Sequence, residues 1–179
     1  MRMNAAQRIP APQSIVWDAL NDPEVLRRSI PGCERINKTG DGELAAAVTA
    51  KIGPVKARFI GKILLGDIDP PRGYRMTGEG DGGAAGFATG GATVTLEADG
   101  DATVLSYDVE ATVGGKLAQI GSRLVDAAAA TMADRFFATF AGDLAAKHPP
   151  AAGMPVAVPK APGFFATLWV FIRRLLGGR

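Results

Sequence analysis

The chain has 179 residues, of which 47% are hydrophobic and 21% charged, and a formal net charge of +2. This leaves room for one ordinary domain and an appendage, while the weak basic excess, with no basic run interleaved with stacking aromatics, excludes nucleic acid as a partner class. Cys33 is the only cysteine and His148 the only histidine, so an intrachain disulfide and a Cys/His zinc site are both excluded by ligand count.

The start, MRMNAAQRIPAP, lacks the apolar stretch of a secretory signal, so a cytoplasmic protein is expected. Met3 to Ile9 reads as a strand ended by Pro10 and Pro12. Pro12 opens a helix with Ile15, Val16, Ala19 and Leu20 at helical spacing. Asn21-Asp22-Pro23 breaks it, and Asp22 is placed to cap a second short helix, Pro23 to Ser29. Strands are then predicted at Glu34–Lys38, Glu43–Ile52, Val55–Asp67, Tyr74–Gly80, Gly86–Glu97 and Thr103–Val113, separated by Gly-, Pro- and Asp-rich turns. In the last of these the alternation is imperfect, which leaves its inward face open.

The stretch Gly114 to Lys147 is the long helical pattern that organises the domain. Leu117, Gly121, Leu124, Ala128, Met132, Phe136 and Phe140 form one drifting stripe, predicted to be buried. Bulky residues bracket the small run Ala127 to Ala130, so either large residues of a facing sheet or a ligand fills the space there. Helices segregated from a strand meander with hairpin-length connections imply an α+β fold, a curved antiparallel sheet wrapped around the last helix.

Tests for chemistry return little. Gly78-Glu79-Gly80-Asp81-Gly82-Gly83 matches G-x-G-x-x-G, but a strand rather than a helix follows it, so a bent hairpin is the reading. His148 sits beside Pro149-Pro150, Asp108 and Glu110 share a strand face without neighbouring chemistry, and Cys33 follows a turn as a small packing residue. Tyr74, Tyr107, Arg58 and Arg75 are open between pocket and surface. No catalytic or metal residue is assigned.

Several segments carry a family likeness. Ile30-Pro31-Gly32-Cys33-Glu34, Gly53-Pro54-Val55 with Gly61, Asp67-Ile68-Asp69-Pro70-Pro71, the run GEGDGGAAGFATGG from Gly78 to Gly91, and GGKLAQIGSR from Gly114 to Arg123 resemble the carbon monoxide dehydrogenase CoxG family, across roughly residues 1 to 145. The resemblance implies a helix-grip, START-like fold with an apolar cavity between sheet and helix. It also implies an accessory, non-catalytic protein of a molybdo-flavin carbon monoxide dehydrogenase or related molybdenum hydroxylase, with no intrinsic cofactor. A respiratory quinone, menaquinone or ubiquinone, is the implied ligand.

The tail is read from its own residues. After the domain (1–146), prolines at 149, 150, 155, 159 and 162 describe a semi-rigid linker over 147–163 that spans about 50 Å when extended. In the following 164–179 segment the apolar run is too short to cross a bilayer. As a helix it places Phe164, Phe165, Leu168, Trp169, Phe171, Ile172, Leu175 and Leu176 on one arc of roughly 160°. Arg173 and Arg174 lie opposite, which suits an interfacial anchor on an anionic inner membrane face, the alternative being a segment that docks on its own domain or on a partner.

The combined expectation is a quinone carrier attached to the inner face of the membrane. The residues expected to line its cavity are Phe59, Met76, Phe87, Leu117, Ile120, Leu124, Ala128 and Met132. The alternatives are an adaptor that recruits the dehydrogenase without carrying a ligand, and a cyclase-like or hydrolase-like enzyme on the same fold. The scarcity of His, Cys and Tyr weighs against the enzyme.

Overall fold

The computed structural model describes residues 1–148; the tail expectation and the linker expectation beyond His148 lie outside them, while Lys147, expected to open the linker, ends the last helix. Seven strands form one antiparallel sheet in the order β1-β7-β6-β5-β4-β3-β2. They are β1 (Arg2–Ile9), β2 (Cys33–Gly40), β3 (Glu43–Ile52), β4 (Val55–Asp69), β5 (Gly73–Asp81), β6 (Phe87–Asp99) and β7 (Ala102–Gly114). The helices are α1 (Gln13–Leu20), α2 (Pro23–Ser29), α3 (Lys116–Gln119) and α4 (Ser122–Lys147).

Local chemistry explains the boundaries. The Glu24 amide donates to Asp22 Oδ1 at 2.8 Å, so Asp22 caps α2 with Pro23 just inside. Arg27 and Arg28 occupy the last turn of α2, where the helix dipole favours cations. The G-x-G-x-x-G run lies at the end of β5 and in a 3₁₀ turn, Gly83–Ala85, that leads straight into β6, so the sheet hairpin is what forms.

The largest departure from the sequence reading is in the long helix. The chain stays extended to Gly114, makes only one turn as α3, and breaks at Gly121, whose φ is +90°. A residue at that φ ends one helix and resets the phase of the next. Val125, rather than Leu124, is therefore buried, and Leu124 is 47% exposed.

α4 crosses the concave face of the sheet, packing on α2, β1 and β3. Its C-terminal half carries Phe140 and Leu144 into a dense core with Ile9, Val16, Leu20, Leu96 and Leu105. Its N-terminal half supplies little volume, and the interior there is not filled. In β4 the alternation is strict: Phe59, Ile63 and Leu65 are half-buried, while Ile60 and Leu64 are exposed on the convex face. β7 turns Tyr107 and Val109 to the concave side, and Asp108 and Glu110 are exposed on the other, where Glu110 pairs with Arg2 at 2.7 Å.

Candidate functional site

Beneath the middle of α4 lies an apolar cavity of about 440 Å³, within the range of small-molecule sites. Its roof is Ala129, Met132, Ala133, Phe136 and Phe137 of α4. Its floor is the concave face of β3 to β7, including Leu44, Ile63, Leu65, Met76, Ala92, Val94 and Val109. Leu20 and Leu26 of α1 and α2, with Ile30 after them, close one end.

A second space of about 390 Å³ adjoins it and shares Ile63, Met76, Ala92 and Val109. Part of its floor is bare, because Gly61, Gly78, Gly80 and Gly90 present only backbone between the side chains of Phe59, Ile63, Met76 and Val109. Two of these glycines are required by close approach between strands: a Cβ on Gly61 would lie 2.5 Å from Glu79 O, and one on Gly90 would lie 2.4 Å from Glu110 O.

Few polar groups reach the main cavity. Lys38, on the edge strand β2, is exposed at the rim. Asn21 donates from Nδ2 to Trp17 O at 2.9 Å. Tyr107 stacks on Phe137 at 5.3 Å between ring centroids, and burial, then the charge of Asp134, pushes its pKa up. Tyr74 is the deeply buried one, 6% exposed and packed edge-on against Trp17 at 5.8 Å. Burial pushes its phenol up to about 12.

The Tyr74 shift gives a pH prediction with a definite sign. The phenol is neutral in the folded chain up to about 12 but ionises near the ordinary value of 10 once unfolded. Its contribution is therefore whole below pH 10 and is lost between pH 10 and about 12. That loss amounts to about 2–3 kcal/mol, and in denaturant titrations it should be absent from Tyr74→Phe.

The structure sorts the eight residues expected at the cavity. Met76 and Met132 line the main space, and Phe59 joins Met76 in the adjoining one. Phe87 is instead 49% exposed on the convex face, because it is the register partner of outward Asp81 and its ring lies against Gly114. Leu124 and Ala128 face a separate groove between α4 and the β3–β4 hairpin, a consequence of the phase reset at Gly121. Ile120 stands with Leu124 over Gly53, where a Cβ would lie 3.9 Å and 3.4 Å from their Cδ1 atoms. Leu117 is buried in α3, which packs on β7 and the 3₁₀ turn, away from both spaces.

Residues missed by the sequence reading include Ala129 and Ala133, one position on from the expected stripe, and Ile63 and Leu65, which the alternation of β4 marks as inward. Of the residues left open, Tyr74 and Tyr107 line the cavity, whereas Arg58 pairs with Glu34 at 2.7 Å among exposed side chains. Burial raises the Cys33 thiol, which suits a packing role. Among the described residues no helix is long and apolar enough to cross a membrane, and no group of three His, Cys, Asp or Glu side chains is placed to hold a metal.

Comparison with known proteins agrees with this architecture. A conserved protein from Geobacillus kaustophilus is 29% identical with a TM-score of 0.77, over 82% of this chain and 97% of that one. A START superfamily protein from Mycobacterium smegmatis is 14% identical with a TM-score of 0.62, over 82% and 98%. The ZhuI aromatase/cyclase from Streptomyces sp. R1128 is 16% identical with a TM-score of 0.58, over 86% and 99%. At these last two identities the likeness shows the fold alone. No curated protein matches the chain. The model of the carbon monoxide dehydrogenase CoxG family matches residues 6–145, from within β1 almost to the end of α4. A helix-grip domain matched over that span belongs to the CoxG family, the accessory proteins of carbon monoxide dehydrogenase.

Proposed function

We propose that this protein carries a respiratory quinone, menaquinone or ubiquinone, between the membrane and a molybdo-flavin carbon monoxide dehydrogenase. The observation that carries the reading is the unfilled apolar space under Ala129 and Ala133, built into a domain whose other half is densely packed. Apolar ligands enter such a space with little reorganisation. The 164–179 segment, with its aromatic and leucine arc and Arg173 and Arg174 opposite, would hold the carrier at the cytoplasmic face, and the linker gives it reach. The protein supplies binding and delivery and leaves the redox chemistry to its partner.

Filling the space tests this reading. Ala129→Leu and Ala133→Leu should leave the unfolding midpoint of the full-length protein nearly unchanged. Solvent extraction and mass spectrometry should then find several-fold less quinone than in the parent. If these positions are already packed, the same changes cost about 1–3 kcal/mol and the carrier reading fails. Deleting 160–179 should release the protein from membranes; persistent association would sink the anchor.

The exposed apolar residues Ile60, Leu64 and Phe87 on the convex face favour a second reading, an adaptor that docks on the dehydrogenase there. A parent protein with no extractable ligand that still recruits the enzyme would put it ahead.

A further inference from the structure

The concave side of β5 changes character along its length. Its inward residues are Tyr74, Met76, Gly78 and Gly80 in turn, a span of roughly 20 Å from first to last at strand rise. The Tyr74 end is enclosed by α1 and the core, and the Gly80 end has a bare backbone floor. A slender molecule laid along this strand meets its one deeply buried polar group at the closed end.

That group is unpaired. None of the side-chain hydrogen bonds of the described residues involves Tyr74 Oη, and burial alone accounts for its raised pKa. No completely sealed side-chain oxygen or nitrogen among the described residues lacks a partner. Tyr74 Oη is therefore not sealed off, and Tyr74 is a residue of the cavity wall. A buried tyrosine hydroxyl ordinarily has a partner; here the described residues supply none, and the cavity that Tyr74 lines is where a ligand could supply one.

We propose that Tyr74 Oη is the hydrogen-bond donor that fixes the polar end of the bound molecule. The ligand class is then an apolar body with an accepting oxygen, such as a ring carbonyl. It lies with the oxygen toward α1 and its hydrocarbon over the glycine floor. Lys38 stands exposed at the rim, and Tyr107, level with Tyr74 across Val94, is only half-buried and stacks on Phe137, which leaves Tyr74 as the deeply buried hydroxyl. This deepens the carrier reading and rests on it.

The test uses the full-length chain and two small probes of similar shape, menadione and 2-methylnaphthalene, measured by equilibrium dialysis against wild type and Tyr74→Phe. The loss of one neutral hydrogen bond should weaken menadione roughly threefold to tenfold and leave the hydrocarbon within about twofold. The infrared carbonyl band of bound menadione should sit at lower frequency in wild type than in the variant. The unfolding midpoint at neutral pH should not fall, since the hydroxyl has no partner in the empty protein. Unchanged menadione affinity in Tyr74→Phe, or equal weakening of both probes, would overturn the Tyr74 assignment while leaving the carrier intact. If wild type binds neither probe, the carrier reading itself falls.

Discussion

Phe140→Ala is expected to destabilise the domain by about 3–5 kcal/mol, read as a lowered urea midpoint with an unchanged slope. The ring has no solvent exposure and stacks on Phe136 at 5.5 Å with 16° between planes. Phe136 in turn meets Phe137 edge-on at 5.0 Å, and Phe137 stacks on Tyr107. Removing the first ring of that series leaves a hole in close-packed surroundings that relax only in part. Domains of this size are stable by about 5–15 kcal/mol, so the loss is a large share of the total. Phe136 and Phe137 also form the cavity roof, so the variant should lose ligand retention along with stability. A midpoint within experimental error of wild type would show that the dense half of the core is not where the stability resides.

The second large effect is at Gly86. Its φ of +114° and ψ of −157° lie in a region open essentially to glycine alone. An added Cβ would stand 2.0 Å from Gly114 O and 2.9 Å from the carbonyl carbon. Both are backbone atoms at the end of β7, so neither can swing aside. Gly86→Ala should cost more than about 3 kcal/mol, strain and clash together. Gly83→Ala serves as the milder control: its φ is +58° but nothing lies within 4 Å of the added carbon, so about 1 kcal/mol is expected. Equal midpoints for the two variants would refute the close-approach explanation.

Much of the architecture was legible because turn chemistry is local. Asn21-Asp22-Pro23, Pro31-Gly32 and Asp99-Gly100-Asp101 end their elements for reasons confined to a few residues, and the structure breaks at each. Facing is a different matter. Phe87 is the single bulky residue in a glycine-rich stretch, yet whether it points in or out depends on its pairing with Asp81 and Gly114, which alternation within one strand does not reveal. Only the first turns of the helix stripe were displaced by one position, to Val125 and Ala129, because Gly121 adopts a positive φ that a 100° projection cannot anticipate, whereas Met132, Phe136 and Phe140 face inward as expected. The small-residue run did mark the unfilled interior, but Ala129, rather than Ala128, faces it. Tyr74 was undecidable from composition, since an inward tyrosine and an edge tyrosine look alike until its neighbours are assembled.

The strand order carries a consequence for how the chain is made. β1 pairs with β7, Arg2 opposite Glu110 and Ile9 opposite Thr103, so β1, once it leaves the ribosome, has no partner until about a hundred residues later. At typical elongation rates that is roughly 5–20 seconds of waiting. β2 through β6 pair with strands adjacent in sequence and have no such delay. A waiting strand invites association with other chains, and charge on it is a deterrent. Arg2, Asn4, Gln7 and Arg8 leave β1 with few large apolar side chains, a composition suited to the interval. α4 emerges later still, so the cavity acquires its roof only when synthesis of the domain is complete.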